Sequence, residues 1–115
     1  MIPRGVEIFL GAEPIDLRWS FDRLSGIAEE RIGRGARTGA LFVFFGKRKD
    51  ALKILFFDGS GLCVFYKRLD RGTFRVPEVG AGAASIELDE RTLDDLLDGI
   101  DVEEKPPARR PVRLH

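Results

Sequence analysis

Two hydrophobic periods alternate along this chain, one of about 3.6 residues and one of two, and their order predicts the elements. Val6 to Leu10 reads as a short strand, punctuated by Pro3 and Gly5 before it and by Gly11 after it. Leu17, Phe21, Leu24, Ala28 and Ile32 then recur three or four apart, which puts them on one face of a helix. Asp16 is its expected N-cap, and Gly33 and Gly35 end it. Gly26 inside that helix costs about 1 kcal/mol against alanine, which predicts close approach of another backbone. Leu41 to Phe45 is apolar at every position, the pattern of an inner strand covered on both faces.

Leu52 to Phe57 and Leu62 to Leu69 are the next strands, rich in aromatic and branched residues. Asp58-Gly59-Ser60-Gly61 between them has the residues a tight connection requires. Thr73 to Val76 extends the sheet at an edge before Pro77 stops it. After the flexible joint Gly80 to Ala84, Ser85 to Leu88 forms a short strand. A short helix opens near Asp89 or Thr92 and carries Leu93, Leu96, Leu97 and Ile100 at helical spacing. The fold class this predicts is α+β: an antiparallel meander of about four to six strands, one N-terminal helix packed on it, and a short C-terminal helix. Residues 1–100 form a single domain, and 101–115, rich in proline and arginine and poor in apolar residues, form a flexible tail.

Composition narrows the chemistry. At 115 residues the chain buries roughly two-thirds of the surface its unfolded form exposes, enough for a core without disulfide or metal. Cys63 is the only cysteine and sits in an apolar strand, where an inert thiol is expected. No apolar run approaches the length of a membrane span, and the N-terminus lacks the charged leader and apolar stretch of a signal peptide. A cytoplasmic protein without membrane contact is the simplest reading.

Net charge is zero by cancellation. Between Arg31 and Arg75 basic residues dominate, opposed only by Asp50, Asp58 and Asp70. Between Val76 and Glu104 the balance reverses, with Arg91 alone against a run of carboxylates, and Lys105, Arg109, Arg110 and Arg113 turn the end basic again. Such asymmetry points to polyanion contact, or to charge pairing between segments or partners.

The meander concentrates that charge. Its first turn carries Lys47, Arg48 and Lys49, and its third strand ends in Lys67 and Arg68, with Arg71 just beyond. In a sequential meander both lie at the same end of the sheet, so these six form the candidate nucleic-acid-binding residues. The ordinary alternative is a solvated rim whose cations blunt the sheet edges. Tyr66, Phe65 and Phe74 lie beside the cluster; aromatics next to cations can stack bases while the cations hold phosphates, and against that Phe65 and Phe74 also read as simple core. Trp19 beside Arg18 is a second aromatic candidate for protein or nucleic-acid contact.

Catalysis finds little support. His115, the only histidine, is terminal, so Ser–His and Cys–His pairs are not expected, and the soft ligands of a zinc site are missing. No cofactor is expected. Asp16, Asp22, Asp50, Asp58 and Asp70 could be gathered into a magnesium site, but each has a simpler place as helix cap, helix surface or turn. Gly59-Ser60-Gly61 lacks the lysine and the following helix of a phosphate loop.

One block resembles a known family. Lys53-Ile54-Leu55, Asp58-Gly59, Gly61-Leu62-Cys63, Tyr66-Lys67-Arg68-Leu69, Arg71-Gly72, Phe74 and Pro77 are similar to the signature of the small accessory protein encoded by insertion sequences of family sixty-six. That protein is the second open reading frame of the element, called TnpB and unrelated to the RNA-guided nuclease of the same name. Met1-Ile2-Pro3, Asp16-Leu17-Arg18, Phe21-Asp22, Leu24, Gly39, Leu41 to Phe44, Asp50 and Leu52-Lys53 continue the similarity, to about Asp101. Where the family often has tryptophan or tyrosine, this chain has Phe56, Phe57, Phe65 and Val76, and Trp19 stands where a basic residue often follows the first helix's arginine.

The resemblance implies a role in DNA transposition beside a separate catalytic transposase, and it does not imply strand-cutting activity in this chain. The reading is therefore a non-enzymatic accessory protein that binds DNA through the basic rim and partners the transposase and other proteins of the element. One alternative is an interaction module that grips the transposase, or another copy of itself as a homo-oligomer, without touching DNA. A metal-dependent nuclease is the other.

Overall fold

The computed structural model describes residues 5–98. Five strands form one sheet in the order β4-β3-β2-β1-β5. They are β1 (Ile8–Gly11), β2 (Leu41–Phe45), β3 (Ala51–Phe57), β4 (Leu62–Arg68) and β5 (Ser85–Leu88). The helices are α1 (Phe21–Ile27), continued by a π-helical turn over Ala28–Ile32, and α2 (Glu90–Leu97). The arrangement is α+β, and β2, β3 and β4 form the expected antiparallel meander. No helix among the described residues is long and apolar enough to cross a membrane.

One pairing departs from the antiparallel expectation. β1 runs parallel to β2, with Ile8 opposite Leu41 and Leu10 opposite Val43. A parallel neighbour needs a crossover of a dozen or more residues. The segment holding α1 and the π-helical turn provides it, so the first helix lies on one face of the sheet. β5 then adds antiparallel to the other side of β1, closing the strand order at that edge.

Side chains alternate between two cores. On the α2 face, Ile8, Leu10, Val43, Phe45, Leu52 and Ile54 pack with Leu93 and Leu96. On the α1 face, Phe9, Phe42, Phe44 and Leu55 pack with Leu24 and Ala28. β2 is buried at all five positions because it serves both layers. Full burial of side chains such as Phe42 and Phe44 contributes about 1.5–3 kcal/mol each.

The first helix is shorter than the periodicity suggests. Ile15 bridges to Gly46 on the end of β2, and its amide donates to the Phe45 carbonyl at 2.8 Å. The chain at Asp16 is thus held extended against the sheet. The Asp16 carboxylate accepts from the Arg18 amide at 2.9 Å and pairs with the Arg18 guanidinium at 2.6 Å, so it closes a local turn and does not cap the helix. That guanidinium and amide hold the Asp16 carboxyl down at about 2. Ser20 takes the N-cap position, with no side-chain cap bond. Gly26 meets no backbone: a Cβ there would have nothing within 4 Å.

Thr73 to Val76 is not a strand. Phe74 is a core residue, 2% exposed and edge-on to Phe45 at 5.6 Å, and its amide donates to the Lys49 carbonyl at 2.7 Å. α2 opens as expected at Asp89, whose carboxylate accepts from the Thr92 amide at 2.7 Å. The expected tail at 101–115, His115, Ile100 and the Met1-Ile2-Pro3 match lie outside the described residues.

Candidate nucleic-acid interface

The β2–β3 turn and the far end of β4 meet at one end of the sheet. The β3–β4 register places Ala51 opposite Arg68 and Leu52 opposite Lys67. The chain leaving β4 stays against the turn. The Leu69 amide donates to the Asp50 carbonyl at 2.8 Å, and the Phe74 amide to the Lys49 carbonyl at 2.7 Å. The loop carrying Arg71 is therefore pinned at both ends to the turn carrying Lys47, Arg48 and Lys49. All six expected cations share one margin of the molecule.

Lys47, Arg48, Lys49, Arg68 and Arg71 are exposed. Lys49 holds φ 61, the only positive value at a non-glycine residue among those described. Two ion pairs form among the described residues, Arg18–Asp16 and Arg31–Glu13, and neither involves the margin. The Arg68 guanidinium donates to the Tyr66 hydroxyl at 3.2 Å, and that bond, aided by Asp50, raises its affinity for the proton.

Lys67 differs from the other five. It is half-buried on the α2 face, and its ammonium donates to the Leu97 carbonyl. A cation there satisfies a helix-end carbonyl and complements the negative end of the dipole. Arg68, next along β4, projects to the α1 face with Tyr66. The charge thus wraps around the corner of the sheet instead of covering one face, a consequence of the strand period of two.

The aromatics divide likewise. Tyr66 and Phe65 are 46% and 37% exposed on opposite faces of β4, whereas Phe74 is core and unavailable for stacking. Trp19 is half-buried, with the Arg23 guanidinium 4.2 Å from its ring centroid. It lines a groove of about 730 Å³ with Gly26 and Phe44, and none of the six cations is among the residues lining that groove.

The sequence alone does not single out Lys53 as a site residue. It is 7% exposed inside the meander, donates to the Trp19 carbonyl at 2.7 Å, and lies 4.9 Å from the Tyr66 ring centroid. It ties the loop before α1 to the sheet and holds Tyr66 from beneath. A lysine opposite a tyrosine in an apolar strand is the signal that could have found it.

Among the described residues the carboxylates do not gather. Asp16 is engaged by Arg18, and Asp58 accepts from the Ser60 and Gly61 amides at 2.9 and 3.0 Å, which holds its carboxyl below the usual range. Among the described residues no three of His, Cys, Asp and Glu come together as a metal would need. Burial and the nearby Asp58 charge push the Cys63 thiol up, away from the reactive thiolate.

Residues 6–107 match the family model described as IS66 Orf2 like protein. Two proteins of Sinorhizobium fredii (strain NBRC 101917 / NGR234) are similar over almost their whole length. Uncharacterized protein y4hO is 35% identical over 116 residues, covering 99% of each chain. Uncharacterized protein y4jC is 31% identical over 113 residues, covering 96% of this chain and 95% of its own. No solved structure matches. The chain belongs to the IS66 Orf2-like family.

Proposed function

We propose, with that membership as the premise, that this protein is a non-catalytic accessory factor of DNA transposition that holds DNA phosphates on its cationic margin. Membership of the IS66 Orf2-like family supports a role within an insertion sequence, beside a transposase that does the strand chemistry. One observation carries the DNA reading: Lys47, Arg48, Lys49, Arg68 and Arg71 converge at one end of the sheet, exposed and without ion-pair partners among the described residues. Cations that pair with no neighbouring carboxylate are available to displace counterions from a phosphate backbone. Tyr66, beside Arg68 and braced by Lys53, supplies a ring on which an unpaired base can stack. Lys67 adds charge while anchoring the end of α2.

The test is DNA binding over a salt series, with element-end DNA as the probe. Each phosphate neutralised contributes about −0.9 to the slope of log affinity against log salt. Replacing Lys47, Arg48, Lys49 and Arg68 together by alanine should lower affinity and flatten that slope by roughly 3 to 4. Lys67 is left in place because it holds α2. An unchanged slope would remove the DNA reading.

A second reading has its own observation. Phe65 and Tyr66 are exposed on an edge strand beside the cations, the composition of a protein contact. On that reading the margin grips an acidic surface of the transposase. Co-purification that survives nuclease treatment, with no binding to free DNA, would favour it.

A further inference from the structure

The outer edge of β4 pairs with no strand among the described residues. Its hydrogen-bonding phase is fixed by its neighbours. The Asp58 amide donates to the Gly61 carbonyl, and the Leu69 amide to the Asp50 carbonyl. In an antiparallel ladder bonded pairs alternate. The odd-numbered residues of β4 therefore bond inward to β3, and Leu62, Val64, Tyr66 and Arg68 turn their amides and carbonyls outward. The side chains along this edge are Leu-Cys-Val-Phe-Tyr before the cations begin, and every residue of the strand is at least partly exposed. The strand is seven residues long and has no proline, and its only blunting charges lie at one end.

We infer that β4 is a dimerisation edge, on which a second copy of this chain adds its own β4 antiparallel to make one ten-stranded sheet.

Charge selects both the occupant and the direction. Parallel pairing would set Lys67 and Arg68 of the two copies side by side. Antiparallel pairing sends each cationic end toward the other copy's opposite end, where the Asp58 turn lies. One register engages the full strand. With the two-fold axis at Phe65, Leu62 faces Arg68 of the second copy and Val64 faces its Tyr66. Each of the four outward-bonding residues is then in a bonded pair. Phe65 meets its own counterpart at the axis as a non-bonded pair, the closer kind, on the α2 face. On the α1 face Tyr66 covers the Val64 of the second copy. Cys63 lies opposite Lys67, so no two like charges face one another. The two cationic margins end up about 20 Å apart, six residues of strand, pointing opposite ways. A dimer so built presents two separate phosphate-binding margins; the pairing itself does not depend on the DNA reading.

The experiment is the solution mass of the full chain from micromolar to millimolar concentration, without DNA. A dimer is expected. Val64→Pro removes an outward amide and leaves the bonds to β3 intact, because proline is tolerated on an edge whose amide faces solvent. The Val64→Pro chain should run as a monomer with an unchanged circular dichroism spectrum and cooperative melt. Independently, Phe65→Cys in a Cys63→Ser chain should oxidise to a covalent dimer, since the two introduced thiols meet on the axis. A wild-type chain that stays monomeric throughout would overturn the inference. A dimer that persists in a folded Val64→Pro chain would overturn it, as would one whose Phe65→Cys thiols stay reduced under oxidant.

Discussion

Single residues show where sequence logic and packing part. Gly26 reads, in a helical pattern, as a sign of tight approach by another backbone, yet the space where a Cβ would stand is empty and opens on the groove beside Trp19. The glycine therefore carries its entropic cost without a packing return. Gly26→Ala should raise stability by roughly 0.5–1 kcal/mol, measured by urea melts. A loss of stability would show that the groove is filled in solution. Phe74 teaches the opposite. Beside Arg71 and Arg75 it looks like part of an exposed aromatic–cationic surface, but its ring closes the α2-side core against Phe45. Sequence proximity to charge says nothing about which way a ring points when the backbone between leaves the sheet. Lys53 was hidden for a related reason. A strand that is apolar on both sides of one lysine suggests an exposed cation, and only the loop at Trp19, folded back from sequence far away, provides the carbonyl that lets it be buried.

At the scale of elements, what was legible is what short-range pattern controls. β2, β3 and β4 follow from alternating apolar runs separated by turns with the right residues, and the cap of α2 follows from Asp89 standing before Thr92. The place of β1 was not legible, because a parallel partner is chosen by the crossover and the layer it covers, not by the strand itself. Periodicity starts α1 too early for a similar reason: Ile15, pairing with Gly46, claims the residues that periodicity gives to the helix. The β2–β3 turn shows an element shaped against local preference. Lys49 adopts φ 61, a left-handed conformation costing a non-glycine residue roughly 1–2 kcal/mol. Such strain collects where a side chain is needed for function. Lys49→Gly should relieve it, leaving the urea midpoint equal to or above that of the original chain. On the proposed DNA reading, the same change should weaken binding by removing one phosphate contact, about 0.9 in salt slope. A fall in stability would mean that the lysine's stem, not its charge, is what the turn requires.

For the whole molecule, net charge zero means that the proposed attraction to DNA would depend on where charge sits and how far its field reaches. The chain extends 42 × 31 × 26 Å, with the cations at one margin and β5, bearing Glu87, at the sheet edge away from β4. Four strand spacings separate β5 from β4, about 19 Å. At 0.15 M salt the screening length is about 8 Å, and at 0.01 M about 30 Å. A phosphate at the margin therefore feels Glu87 only in dilute salt. Glu87→Lys should tighten DNA binding several-fold near 0.01 M and leave it unchanged near 0.15 M, whereas Arg48→Ala should weaken it at both. Glu87 is exposed on its strand, so the fold should tolerate the change. If Glu87→Lys strengthens binding equally at both salt concentrations, DNA lies against the β1–β5 edge, and the convergence of Lys47, Arg48, Lys49, Arg68 and Arg71 serves a protein partner instead. The two-salt comparison thus separates local contact from distant field within one neutral molecule, a distinction that affinity at a single ionic strength would blur.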